Sequence, residues 1–130
     1  MAIPLGICAI LTSDFQFLIF RKMPRLKSAL YVQALIRRAE TAGASAYLVR
    51  RGAEEAGAVF LKVDRLDGSA TVLSPARRGE ERVWTRPLGD AADARRCAEY
   101  FAKQVRFDPD IWIVEIEDKQ GRAFVDEPIA

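Results

Sequence analysis

Apolar residues recur at helical spacing in two stretches of the chain. In the stretch 24–42, apolar or small side chains fall three or four positions apart, and charged residues occupy the opposite face. The stretch 90–106 has the same pattern, with alanines along much of its apolar face. Asp90 stands at its start, where a carboxylate can accept N–H bonds from the first helical turn. These patterns predict two main helices.

Three shorter runs between the helices have the composition of strands. The runs 45–51, 58–63 and 70–73 are rich in branched and aromatic residues. The pair Asp67-Gly68 separates the second run from the third, and such a pair favours a tight hairpin turn. We therefore expect these three strands to form an antiparallel meander.

The remaining segments predict shorter elements. Pro75 is expected to end the third strand, and the charged segment 77–81 is expected to form a loop. The segment 82–86 is a candidate edge strand. The run 111–117 alternates residues so that one face is wholly apolar, which predicts a strand, and 122–125 is a candidate for one more. The order α-β-β-β-(β)-α-β predicts a single α+β domain, an antiparallel sheet of about four to five strands with two main helices.

The first 22 residues differ from the rest. Asp14 separates their two apolar runs, which argues against a membrane-spanning helix. A secretory signal has its positive charges before the apolar run, whereas Arg21 and Lys22 come after both runs. One interpretation of these residues is that they form an added strand. The favoured interpretation is that the natural protein starts at Met23, so that residues 1–22 are an upstream extension outside a domain at 23–130. We expect no membrane association and a cytoplasmic location.

Composition excludes several kinds of active site. The chain has 130 residues, with 20 Lys and Arg against 18 Asp and Glu, and it contains no histidine. Sites that pair serine or cysteine with histidine, and zinc sites with two histidines on one helix, are therefore excluded. Two cysteines, Cys8 and Cys97, are too few for a four-cysteine zinc site. The sequence predicts no cofactor and, on balance, no enzyme.

Several short segments together resemble a known family. They are Arg25-Leu26-Lys27, Val49-Arg50-Arg51-Gly52, 56–62, Arg65-Leu66-Asp67-Gly68, Ser74-Pro75-Ala76 and, most specifically, the run 106–118. Over 25–126 the chain resembles the alphaproteobacterial family known as domain of unknown function 1491. Members of that family usually begin near the Arg-Leu-Lys element, in keeping with a start at Met23. The resemblance implies a small cytoplasmic bacterial protein and brings no established activity, ligand or catalytic residue.

Basic residues concentrate in the middle of the chain around a tryptophan. The candidate surface consists of Arg50, Arg51, Lys62, Arg65, Arg82, Trp84 and Arg86. One interpretation is an interface for another protein, or for a second copy of the chain, anchored by Trp84. The alternative is nucleic-acid binding through phosphate contacts and stacking on Trp84. Acidic residues are interspersed through the same region, which favours the first interpretation.

An acidic cluster near the C-terminus supports a third hypothesis. Glu115 and Glu117 stand two apart on a predicted strand and so share a face, where with Asp110 they could hold a divalent cation for a hydrolase. Nuclease-like folds with this element order use a Glu-x-Lys triplet, which does not follow here. A solvated strand end next to a turn is the plainer explanation. The leading hypothesis is therefore a non-enzymatic protein-interaction module, with nucleic-acid binding second and a metal-dependent hydrolase third.

Overall fold

The computed structural model describes residues 27–130, so the predicted extension at 1–22 lies outside the described residues. The described chain folds into two helices and five strands that follow one another in the predicted order. They are α1 (Ser28–Thr41), β1 (Ser45–Arg50), β2 (Val59–Asp64), β3 (Ala70–Arg78), β4 (Glu81–Thr85), α2 (Ala94–Phe107) and β5 (Trp112–Glu117). The predicted α+β class and element order are confirmed.

The five strands form one mixed sheet in the order β1-β5-β2-β3-β4. Strand β5 runs parallel to β2 and antiparallel to β1. The predicted meander is therefore wrong at its first pairing, because β5 is inserted between β1 and β2. The physical reason is burial: four of the first five residues of β5 are buried, whereas four of the six residues of β1 are exposed. A strand that is apolar on both faces takes a central place, and a half-exposed one takes an edge.

The two helices cover opposite faces of the sheet. Leu35 of α1 belongs to a core cluster with Trp112 and Val114 of β5. On the other face Cys97 of α2 packs with Val72 of β3, and Cys97 is only 1% exposed. Burial raises the pKa of the Cys97 thiol. The cysteine therefore serves as a core residue. Within residues 27–130, neither helix is long and apolar enough to span a membrane.

The second helix begins later than predicted. Its cap is Asp93, whose carboxylate accepts the backbone N–H of Arg96 at 2.8 Å. Asp90 instead pairs with the guanidinium of Arg86 at 2.6 Å. The residues between them cannot join the helix, because the backbone of Ala92 pairs with β3 in a short antiparallel bridge.

Strand β3 continues through Pro75 to Arg78, so the predicted charged loop at 77–81 is wrong. Pro75 lies opposite Trp84, whose backbone N–H donates to Pro128 on the far side of β4. The pairing of β3 with β2 has already ended at Leu73. The N–H that proline lacks is thus needed by neither neighbour. The predicted strand at 122–125 does not form.

Candidate functional site

Strand β1 is an edge strand with a row of exposed apolar side chains. Tyr47, Leu48 and Val49 are 50%, 43% and 56% exposed, and we call these three residues the β1 edge. The sheet order leaves the outer side of β1 without a partner strand among residues 27–130. Edge strands that present unpaired backbone groups are templates for pairing with another chain.

The opposite edge of the sheet is covered by the C-terminal tail. The backbone N–H of Trp84 donates to the Pro128 carbonyl at 2.9 Å, and the N–H of Ala130 donates to the Trp84 carbonyl at 2.7 Å. Ile129 thereby forms a parallel bridge with Trp84. One edge of the sheet is closed by the chain itself, which leaves the β1 edge as the open one within the described part of the chain.

Trp84 does not have the exposed position that the sequence suggested. Its side chain is only 4% exposed and belongs to the main core cluster. The indole N–H donates to Glu127 at 3.1 Å. An indole that is buried and hydrogen-bonded in this way is a structural residue of β4 and offers no exposed anchor.

The structure does not gather the predicted basic residues on one surface. Arg50 donates to the Pro109 carbonyl at 2.8 Å, and the guanidinium of Arg51 lies 5.2 Å from the ring centre of Trp112. These two arginines therefore fasten the end of β1 and the loop after it to the start of β5.

The other basic residues lie elsewhere. Lys62 faces the α2 side of the sheet, 3.8 Å from Glu115, and Arg86 pairs with Asp90. Arg65 lies against the turn at Gly121, and Arg82 lines a cleft on the α1 side. These positions form no single basic stripe on the described part of the chain.

Three carboxylates converge at one end of the central strand pair. Asp64 of β2 and Glu117 of β5 are direct neighbours in the parallel register. One carboxylate oxygen of each, together with one of Glu115, lies within 4.8 Å of the other two. Tyr47 donates its hydroxyl to Glu117 at 3.3 Å, and Lys62 is the neighbour of Glu115. We call Asp64, Glu115 and Glu117 the carboxylate cluster.

The predicted metal ligands are only partly brought together. Glu115 and Glu117 share a face, as expected. Asp110 lies just before the start of β5, at the other end of the strand from Glu117, and its backbone N–H donates to the Asp108 carboxylate. Asp64 occupies the third position instead. Sequence reasoning missed Asp64 because its proximity depends on the parallel pairing of β2 with β5, which local patterns do not encode.

A cleft of about 270 Å³ opens on the α1 side of the sheet, between the start of α1, the start of β2 and the β3–β4 hairpin. Its walls include the apolar residues Val59, Pro75 and Trp84. Arg77 and Arg82 line it from the hairpin. Sequence analysis did not anticipate this cleft, because the hairpin that forms one wall was expected to be a loop.

Glu127 is the carboxylate of the cleft. One of its oxygens accepts the Tyr31 hydroxyl at 3.0 Å and the Trp84 indole N–H at 3.1 Å. Burial and the neighbouring Glu127 charge raise the pKa of Tyr31 well above its usual range. The polar ends of both rings are thereby satisfied, so the wall that they form is chiefly apolar.

The fold and these sites define a small α+β domain with a five-stranded mixed sheet between two helices. The family model for a protein of unknown function, DUF1491, matches residues 26–126, and the chain belongs to this family. The family resemblance drawn from the sequence is confirmed. A search of curated proteins gives no significant match.

Solved structures support the assignment. The crystal structure of a DUF1491 family protein from Caulobacter crescentus CB15 is 46% identical, with a TM-score of 0.75, and the match covers 81% of this chain and 99% of that one. Protein Atu0922 from A. tumefaciens, solved in solution, is 34% identical, with a TM-score of 0.67 and coverage of 82% and 100%. Both organisms are alphaproteobacteria, as predicted.

Proposed function

We propose that this protein is an interaction module that binds a protein partner by strand addition at the β1 edge. The observation that carries the proposal is the row Tyr47, Leu48 and Val49, exposed on a strand whose outer side has no partner among residues 27–130. An added strand would gain main-chain hydrogen bonds, and alternate side chains would contact it on the two faces of the sheet.

The make-up of the two edges supports this proposal. Natural sheets protect their edges with charges, proline or a covering segment. From Ser45 to Val49 the strand has neither charge nor proline, and its first charge is Arg50. The β4 edge, in contrast, is covered by the tail residues Pro128 and Ala130. Apart from a β-bulge between Leu48 and Arg50, the β1 edge lacks these protections, whereas the opposite edge is covered. This contrast is expected where the open edge binds a partner.

The test is affinity capture with a charge placed on the edge. Leu48→Lys introduces a charged side chain at the centre of β1, and Leu30→Lys is the matched control, because Leu30 is 51% exposed on α1. Capture from host lysate is compared after nuclease treatment and at moderate salt. We expect a partner retained by the native chain and by Leu30→Lys and lost by Leu48→Lys.

A photo-crosslinking amino acid at position 49 then identifies what contacts the strand. Equal capture by Leu48→Lys, with both variants folded, would rule out the β1 edge. Partners recovered only at low salt and without nuclease would instead support nucleic-acid binding, since such binding weakens steeply with salt.

The carboxylate cluster favours a second candidate function, a divalent-cation site. Three carboxylates from two parallel strands each place one oxygen within 4.8 Å of the other two, and oxygen ligands of this kind suit Mg²⁺ or Mn²⁺. A bound cation would supply an activated water to a hydrolase. Asp64, Glu115 and Glu117 would hold the cation.

Thermal unfolding in the presence of Mn²⁺ tests this candidate. A ligand that binds only the folded state raises the melting temperature with increasing concentration. We expect a saturable rise that disappears in Glu117→Gln and persists in Glu54→Gln, a control at an exposed residue outside the cluster. A rise of equal size in Glu117→Gln would show that the ion binds elsewhere.

A further inference from the structure

We propose that the strand added at the β1 edge carries a lysine or arginine opposite Ser45, and that this basic side chain reaches the carboxylate cluster. The inference rests on the proposed function and names the chemistry of its partner. Three observations support it: the rows in which side chains stand across the sheet, the charges in those rows, and the small size of Ser45.

The register of the sheet brings two acidic groups next to β1. Two neighbouring rows of paired residues cross β1, β5 and β2 on the α2 side of the sheet. They are Ser45-Glu117-Asp64 and Tyr47-Glu115-Lys62. A strand added outside β1 would extend each row by one residue. The residue opposite Ser45 would then share a row with two carboxylates.

Neither carboxylate of this row has a cationic partner. Glu117 accepts the Tyr47 hydroxyl at 3.3 Å, and Asp64 accepts the backbone N–H of Leu66 at 2.8 Å, so both bonds come from neutral donors. No lysine or arginine in the range 27–130 forms an ion pair with either carboxylate. The row therefore places two acidic groups without a counter-charge beside the open edge.

The neighbouring row shows how such a group is neutralised. There Lys62 stands beside Glu115 in the parallel register, with 3.8 Å between its Nζ atom and a carboxylate oxygen. Like charges in a cross-strand pair repel each other, as Glu117 and Asp64 do in their row. A basic group from the added strand would reduce this repulsion, as Lys62 does for Glu115.

Ser45 leaves room for a long side chain to reach across β1. It is exposed, and its own side chain is short. Neighbouring strands lie about 4.8 Å apart, so the residue opposite Ser45 would stand about 10 Å from Glu117. The flexible stem of a lysine or arginine and the side chain of the glutamate together cover this gap.

The other positions of β1 complete the description of the partner. Ala46 and Leu48 pair with two core residues of the α1 side, Ile116 and Val114, so they lie on that face of the sheet. Apolar residues of the added strand would pack beside them. The matching segment is therefore a basic residue next to an apolar one, with a second apolar residue two positions further on.

The experiment is an NMR titration of the full chain with synthetic peptides. The peptides contain Lys-Ile-Thr-Ile, or the same segment with glutamine or glutamate in place of lysine, each also in reverse order to sample both strand directions. A chelator removes divalent cations from the carboxylate cluster. We expect the β1 amide signals to shift saturably with lysine peptide in one direction. The glutamine peptide should need a concentration about ten-fold higher.

Two variants identify the group that the lysine contacts. Glu117→Gln keeps an acceptor for the Tyr47 hydroxyl and is expected to remove the preference for lysine over glutamine. Glu54→Gln, at an exposed residue outside the cluster, is expected to keep that preference. Equal effects of the two variants would overturn the proposed contact with the cluster.

The same titration separates this inference from the proposed function. Equal binding of the lysine and glutamine peptides, with both lost in Leu48→Lys, would overturn the basic partner and support strand addition at the β1 edge. No shift of the β1 signals with any peptide up to about 2 mM would overturn strand addition itself.

Discussion

Trp84 donates its indole N–H to Glu127, 43 residues later in the chain, over 3.1 Å. The same carboxylate oxygen accepts the hydroxyl of Tyr31, 96 residues earlier than Glu127, over 3.0 Å. One side chain of the C-terminal tail therefore joins the first helix to the edge strand β4. The neighbouring tail residues complete that edge through backbone bonds to Trp84.

Removal of the Glu127 carboxylate is expected to destabilise the fold. Glu127→Ala leaves the Tyr31 hydroxyl and the Trp84 indole N–H without their acceptor, and an unpaired buried polar group costs about 1–3 kcal/mol. Glu127→Gln retains a carbonyl oxygen and should cost less. The free energy of unfolding in urea measures both. Equal losses in the two variants would show that the shared acceptor contributes little.

Tyr31 predicts an alkaline limit to stability. Burial and the Glu127 charge raise the pKa of the folded tyrosine above its ordinary 10.0, so the unfolded chain releases this proton first. The contribution of the protonated Tyr31 to the free energy of unfolding is complete below pH 10.0 and is lost as the pH rises above that value. The free energy of unfolding should fall more steeply above that pH in the native chain than in Tyr31→Phe. Parallel pH profiles would contradict the prediction.

Asp118 predicts a limit at acid pH. Arg122 donates to its carboxylate through the backbone N–H at 2.8 Å and through the guanidinium at 2.9 and 3.0 Å, and these bonds lower the pKa of Asp118. The stabilisation is present above the ordinary value of 3.8 and is lost as the pH falls below it. Asp118→Asn should be less stable at neutral pH and less sensitive to acid. If Asp118→Asn loses as much free energy of unfolding at acid pH as the native chain does, other carboxyl groups cause the loss.

Gly57 is required by a close approach of two backbone segments. A Cβ atom at this position would overlap the carbonyl oxygen of Asp110, and a backbone atom cannot move aside cheaply. Gly57→Ala is therefore expected to cost about 1–3 kcal/mol or more, as overpacked cores do. Ala56→Ser, at the exposed neighbouring position, is the control and should stay within about 0.5 kcal/mol. Unfolding in urea distinguishes them.

Local patterns were sufficient to identify most elements of the fold. The spacing of apolar residues predicted both helices, and the Asp67-Gly68 pair predicted the turn between β2 and β3. These signals succeed because helix period and turn conformation depend on residues close together in the chain. The β3–β4 hairpin was missed, since whether Pro75 ends a strand depends on which neighbours require its N–H.

The sequence by itself determined the element types, the family and the absence of histidine chemistry. Tertiary structure alone decided that β5 lies between β1 and β2, which brings Asp64 to Glu117 and leaves β1 at an edge. Tertiary structure also decided that Trp84 is buried and that the C-terminal tail pairs with the outer side of β4. Strand order, edge exposure and clefts depend on contacts between distant segments, where burial on both faces of a strand outweighs its position in the chain.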